Sequence, residues 1–144
     1  HSPEFAMIES YQSYGDWRTI ADLTRDLVQN AAMDVFGTHV VTHHDGRQSD
    51  LGGTWAEVSL YEVLSNGVGE EVTALTPYAD LKRIADKLGM NVDPKWITGK
   101  LAEEIFEHVG KDLLIKPTFV MGFPVDTSPL VRWACARLGR PIPG

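Results

Sequence analysis

The sequence predicts an α+β fold, an antiparallel sheet flanked by helices, and three observations point to it. Residues 5–12, "FAMIESYQ", alternate like a strand, with Phe5, Met7, Glu9 and Tyr11 on one face and Ala6, Ile8, Ser10 and Gln12 on the other. A second apolar strand region lies at the far end, in "DLLIKPTFVMGFPVDTSPL". Between them, apolar residues recur at helical spacing in several capped segments. The two best-defined strands are distant in sequence, so closing the sheet requires long-range pairing.

After the opening strand, "DWRTIADLTRDLVQNAAMDVFG" predicts a helix. Asp16 is suited to the N-cap and Gly37 to the C-terminal stop, while Trp17, Ile20, Leu23, Leu27, Ala31 and Val35 form the stripe. "THVVTHHDGRQSDLG" predicts a short hairpin turning at Asp45-Gly46. In "WAEVSLYEVLSNGVG", Ser59-x-x-Glu62 reads as a capping box opening a short helix that ends near Gly67. "TPYADLKRIADKLGM" predicts another helix, with Thr76 as N-cap, Pro77 first, and Leu81, Ile84 and Leu88 on one face. "DPKWITGKLAEEIFEHVG" opens at Asp93-Pro94 and carries the stripe Trp96, Ile97, Leu101, Ile105 and Val109. Pro117 then marks an edge, a bulge or the start of the last strand.

Composition narrows the function classes. With 43% hydrophobic and 23% charged residues the chain is an ordinary globular sequence. No apolar run approaches the roughly 20 residues of a membrane-spanning helix. A net charge of −7 argues against a broad grip on a phosphate backbone, yet leaves room for a nucleotide pocket. Cys135 is the single cysteine, so neither an internal disulfide nor a zinc framework is expected, and a reducing, cytoplasmic setting is. The termini, "HSPEF" and "WACARLGRPIPG", suggest a piece of a larger chain.

Most titratable clusters have ordinary explanations. Adjacent His43 and His44 face opposite ways on a strand and read as a solvated hairpin tip. Glu103, Glu104 and Glu107 read as the wet face of an amphipathic helix, and Glu70-Glu71 as solvated surface. There is no "GxxxxGK[ST]" or "GxGxxG", and Ser128 lacks the glycines of a nucleophile elbow. Glu9 stands apart. A carboxylate on an apolar strand face is either an edge or paired core residue, or a recognition group: beside a tyrosine it suits an ammonium ion, and a nearby aromatic suits a flat base.

The stretch "HSPEFAMIESYQSYGDW" resembles the second half of motif 2 of the class II lysyl-tRNA synthetases, and "GKLAEEIFEHVGKDLLIKPTFVMGFPVDTSPL" resembles a later stretch of that family. "LTRDLV" and "VFGT" lie between them in the family order. The resemblance covers residues 1–132, a partial catalytic domain, and leaves 133–144 as an unassigned tail. Ser2, Gly15 and Gly122 depart from the usual asparagine, alanine and aspartate.

The resemblance implies a class II synthetase core and roles for four residues: His1 on the ATP phosphates, Phe5 on adenine, and Glu9 and Tyr11 on lysine. It implies lysine activation by ATP and transfer to tRNA(Lys) by a homodimer using Mg2+, whose ligands fall outside this sequence, as do the motif arginines. The piece alone is then nearly inactive and touches no membrane. Two alternatives are the synthetase part of a bifunctional lysylphosphatidylglycerol biosynthesis protein and a non-catalytic synthetase-like binding module. For the related aspartyl branch, Glu9 carries the wrong charge.

Overall fold

The computed structural model describes residues 4–128. His1 and everything from Pro129 onward, including Cys135 and the 133–144 tail, fall outside the described residues. The chain divides into two compact units, His1–Gly53 and Thr54–Gly144.

In the first unit, helix α1 spans Trp17–Phe36, bounded by the predicted caps. The Thr19 amide donates to Asp16 Oδ1 at 3.0 Å, and the Asp16 amide donates to Thr19 Oγ1 at 3.3 Å. These bonds satisfy donors that the first helical turn leaves without partners. They also hold the Asp16 carboxyl below its ordinary pKa, the Thr19 amide being the main cause. Gly37 closes the helix in the left-handed region, its amide donating to Met33 O at 2.9 Å.

The predicted hairpin follows. Strands β1 (Val40–Thr42) and β2 (Gln48–Asp50) pair antiparallel, with Val40 opposite Asp50 and Thr42 opposite Gln48. Asp45 stabilises the turn by accepting from the Arg47 amide at 3.0 Å and from Arg47 Nε at 2.7 Å. The Gln29 amide, on α1, donates to the carbonyls of Leu51 and Gly53, both at 2.8 Å, and ties the end of the hairpin to the helix.

The opening segment corrects the sequence reading. Residues 4–12 form no regular strand, and Phe5, Met7, Ile8 and Tyr11 are exposed. Alternation gives a segment the side-chain pattern of a strand, but a strand exists only where a neighbour takes its backbone N–H and C=O groups. No described segment does so here.

The second unit holds most of the buried core. Strand β3 (Ala56–Ser59) runs into α2 (Leu60–Val68), followed by α3 (Tyr78–Lys87), α4 (Thr98–Leu113) and β4 (Thr118–Met121). The last strand does find a distant partner, but that partner is β3, and the pair is parallel, Ala56 opposite Thr118 and Ser59 opposite Met121. Parallel neighbours need a long crossover, here supplied by the three helices. The Trp55 and Phe119 rings pack at 5.3 Å beside this pair. Leu60, Leu64, Leu81, Ile84, Leu101 and Ile105 bring the three helices together around a buried cluster, against which Val120 packs.

Several predicted boundaries shift. Ser59 is the N-cap residue of α2 and also the last residue of β3, but its side chain makes no capping bond. That helix ends at Val68, near Gly67 as expected, and Gly69 closes it in the left-handed region (φ 74°). Pro77 rather than Thr76 stands at the N-cap of α3, since the Thr76 hydroxyl is engaged by the Thr73 amide at 2.9 Å. Asp93-Pro94 opens a separate turn, with the Asp93 carboxylate accepting from the Lys95 amide at 2.8 Å, and α4 begins only at Thr98.

Candidate functional site

The arm of residues 4–14 carries the three described candidates and leads into α1 through Tyr14, an αL residue (φ 60°), and Gly15. The Tyr11 hydroxyl donates to Glu9 Oε2 at 3.2 Å. The contact brings these two side chains, two residues apart, to the same side of the chain. The bond engages one of the two carboxylate oxygens of Glu9. Phe5 stands 77% exposed and Tyr11 89% exposed, so ring surface and carboxylate alike face solvent. Phe5 joins no ring pair among the described residues. Glu9 and Tyr11 are thus brought together, Phe5 remains upstream of them, and His1 lies outside the described residues.

The second unit contains a polar recess that sequence reasoning missed. It has a volume of about 120 Å³ and is lined by Tyr61, Thr73, Thr76, Thr98, Gly99 and Asp126, among others. The loop from Gly122 to Ser128 is fastened beside it. Ile97, at the N-cap of α4, has no side chain able to cap. Asp126 does so from a distance, Oδ2 accepting from the Gly99 amide at 3.1 Å. The Thr127 hydroxyl donates to Glu103 at 2.5 Å, so Glu103 is not simply a solvated helix residue. Glu104 is paired too, with Lys100 at 2.6 Å.

Gly99 makes the approach possible: an added Cβ would lie 2.7 Å from Pro124 Cβ and 2.8 Å from Asp126 Oδ1. Partial burial, then the charges of Asp126 and Glu103, push the Tyr61 phenol above its ordinary pKa. No spacing rule links Gly99 to Asp126. The one available signal was a "TG" at the start of a helix whose N-cap position holds isoleucine.

The remaining clusters behave as surface. His43 Nε2 lies 2.8 Å from Ser49 Oγ on an exposed hairpin. Glu70, also read as solvated, accepts from Arg83 Nη2 at 2.7 Å and from Lys87 at 3.5 Å; the Arg83 bonds are the main cause of its lowered pKa. Among the described residues no three His, Cys, Asp or Glu gather into a group that could hold a metal ion. Among them, too, no helix is long and apolar enough to cross a membrane.

Comparison with known proteins points to the same family. The family described as tRNA synthetases class II (D, K and N) matches residues 1–141. A lysine–tRNA ligase of Kineococcus radiotolerans is 56% identical over 133 residues, which cover 92% of this chain and 27% of that relative. A lysine–tRNA ligase of Mycolicibacterium gilvum is 46% identical over 134 residues with the same coverage. A lysylphosphatidylglycerol biosynthesis bifunctional protein, LysX, of Gordonia bronchialis is 37% identical over 136 residues, 12% of its length. The chain thus spans about a quarter of the lysine–tRNA ligases it matches.

Proposed function

The chain belongs to the class II tRNA synthetases of the D, K and N type, and from that premise we propose that it is a segment of a lysine–tRNA ligase. Sequence identity of up to 56% to proteins of that name, over 92% of the chain, is the observation that carries the reading. The bifunctional reading shares the same ligase half but rests on a 37% identical relative.

The proposed reaction has two steps. The lysine carboxylate attacks the α-phosphorus of ATP, the bond to the bridging oxygen breaks, and pyrophosphate leaves with its electron pair. A tRNA(Lys) ribose hydroxyl then attacks the lysyl carbonyl and AMP departs. Catalysis of this kind rests on positioning the reactants and stabilising phosphoryl charge.

In this reading the chain's own residues bind and orient. Glu9 pairs with the side-chain ammonium of lysine, an interaction that favours lysine over aspartate by charge. Tyr11 holds the Glu9 carboxylate through its hydroxyl, in keeping with their 3.2 Å bond. Phe5 offers its ring face to adenine, and His1 contacts the phosphates. Mg2+ would offset phosphate charge in the longer protein. The described residues offer no group of ligands for it, so no step is assigned to it. Assembly as a homodimer and residence in the cytoplasm complete the proposal.

The test is amino-acid-dependent exchange of pyrophosphate into ATP by the full-length protein. Exchange that requires lysine and is not supported by aspartate or asparagine is the expected result. Exchange with aspartate in place of lysine would overturn the assignment, and brisk exchange by the 144-residue chain alone would overturn the view that it is only a segment.

A further inference from the structure

In "SYGDW", where the arm joins α1, two demands on the backbone meet and one glycine is present to serve them. Ser13 and Tyr14 form a turn, and Tyr14 has φ 60°, the only positive φ outside glycine among the described residues. A turn with positive φ at its second central residue ordinarily takes Gly or Asn there, because a Cβ crowds the backbone in that region. A glycine stands one residue further on, yet Gly15 is not in the left-handed region. Its missing Cβ serves a different need. A Cβ at Gly15 would lie 3.3 Å from Cβ, Cγ2 and Oγ1 of Thr19, the residue that closes the start of α1 against Asp16. Close packing on the helix cap claims the glycine, and the left-handed turn falls to a bulky tyrosine.

Backbone strain of this kind persists only where its surroundings hold it, and it gathers where geometry serves function. On the helix side the hold is visible: Asp16 and Thr19 share three hydrogen bonds of 3.0–3.3 Å. On the other side Tyr11, three residues back, is bonded to Glu9. We propose that Tyr14 is a positioning residue for the Glu9–Tyr11 pair. Its left-handed backbone fixes the direction in which the arm leaves the capped helix, and so where the Glu9 carboxylate is presented to the ammonium of lysine. The inference rests on the ligase reading and deepens it, adding a residue that acts through its backbone without touching substrate.

Pyrophosphate exchange by the full-length protein tests it through the order of substitutions at position 14. Asn tolerates the left-handed region, and Tyr14→Asn should keep the KM for lysine within about 2-fold of the parent value. Val is β-branched and disfavours that region, so Tyr14→Val leaves the turn formed in only a fraction of molecules. The KM for lysine should then rise roughly 10-fold, with kcat at saturating lysine retained. Tyr14→Thr, also β-branched, gives the same reading if the valine variant does not fold. A KM raised equally by Asn, Val and Thr would assign the role to the tyrosine side chain, and a KM unmoved by Val and Thr would show that the turn places nothing; either result overturns the proposal. An unsubstituted protein without lysine-dependent exchange would overturn the ligase reading, and the proposal with it.

Discussion

Replacing Gly99 by alanine sets two effects against each other, and the structure decides between them. Within an α-helix, Gly→Ala stabilises by about 1 kcal/mol through backbone entropy alone. Here the new Cβ would sit 2.7 Å from Pro124 Cβ, and contacts under 3.0 Å are ones that real Cβ atoms essentially never show. The proline ring cannot rotate away, so the 122–128 loop must shift. Moving it by several tenths of an ångström also strains the 3.1 Å bond from the Gly99 amide to Asp126, the tertiary cap of α4. Overpacking costs roughly 1–3 kcal/mol, and a lost cap about 1 kcal/mol. The net is a destabilisation of about 1–3 kcal/mol, or a fall in melting temperature of roughly 4–24 °C for a unit of this size. Thermal unfolding followed by circular dichroism at 222 nm measures it. A melting temperature raised by the substitution would show that propensity governs the site and that the loop is not packed on α4 as described.

Leu101→Ala removes a fully buried side chain between α4 and its neighbours and should cost about 2–5 kcal/mol in urea unfolding. Gly67→Ala would bring a Cβ to 2.5 Å from Val109 Cγ2 and should destabilise the α2–α4 contact, an effect relieved when Val109→Ala is added; additive single effects would contradict the close approach. The Glu70 carboxyl has its pKa lowered in the folded state, chiefly by Arg83, so its contribution is present above the ordinary carboxylate pKa and lost as pH falls through the folded one. Urea midpoints measured from neutral to acid pH should therefore fall less steeply for Glu70→Gln than for the parent sequence.

Local signals were legible wherever local chemistry determines the structure. Asp16 and Gly37 bounded α1 correctly because capping is settled within a few residues. Asp45-Gly46 marked the hairpin turn for the same reason. Strands were harder, because a strand is completed by a partner that may lie far away in sequence. Residues 5–12 alternate well yet remain unpaired, while β3, at Ala56–Ser59, is too short to show a period and merges directly into α2. The tertiary cap from Asp126 to Gly99 spans 27 residues and left no sequence pattern to follow. At the candidate site, the Glu9–Tyr11 contact follows from their spacing of two. The assignment of that pair to lysine came from the resemblance, since the residues alone favour an edge or paired core residue over a recognition group.

The pairing of Glu9 with the ammonium of lysine is the central claim, and steady-state pyrophosphate exchange by the full-length protein carrying Glu9→Gln tests it most directly. Gln keeps the size and one acceptor but removes the charge, and a hydrogen bond to a charged group contributes about 1.5–3 kcal/mol. The account predicts a KM for lysine raised by roughly 10- to 150-fold, with the KM for ATP unchanged. An unaltered KM for lysine would contradict it.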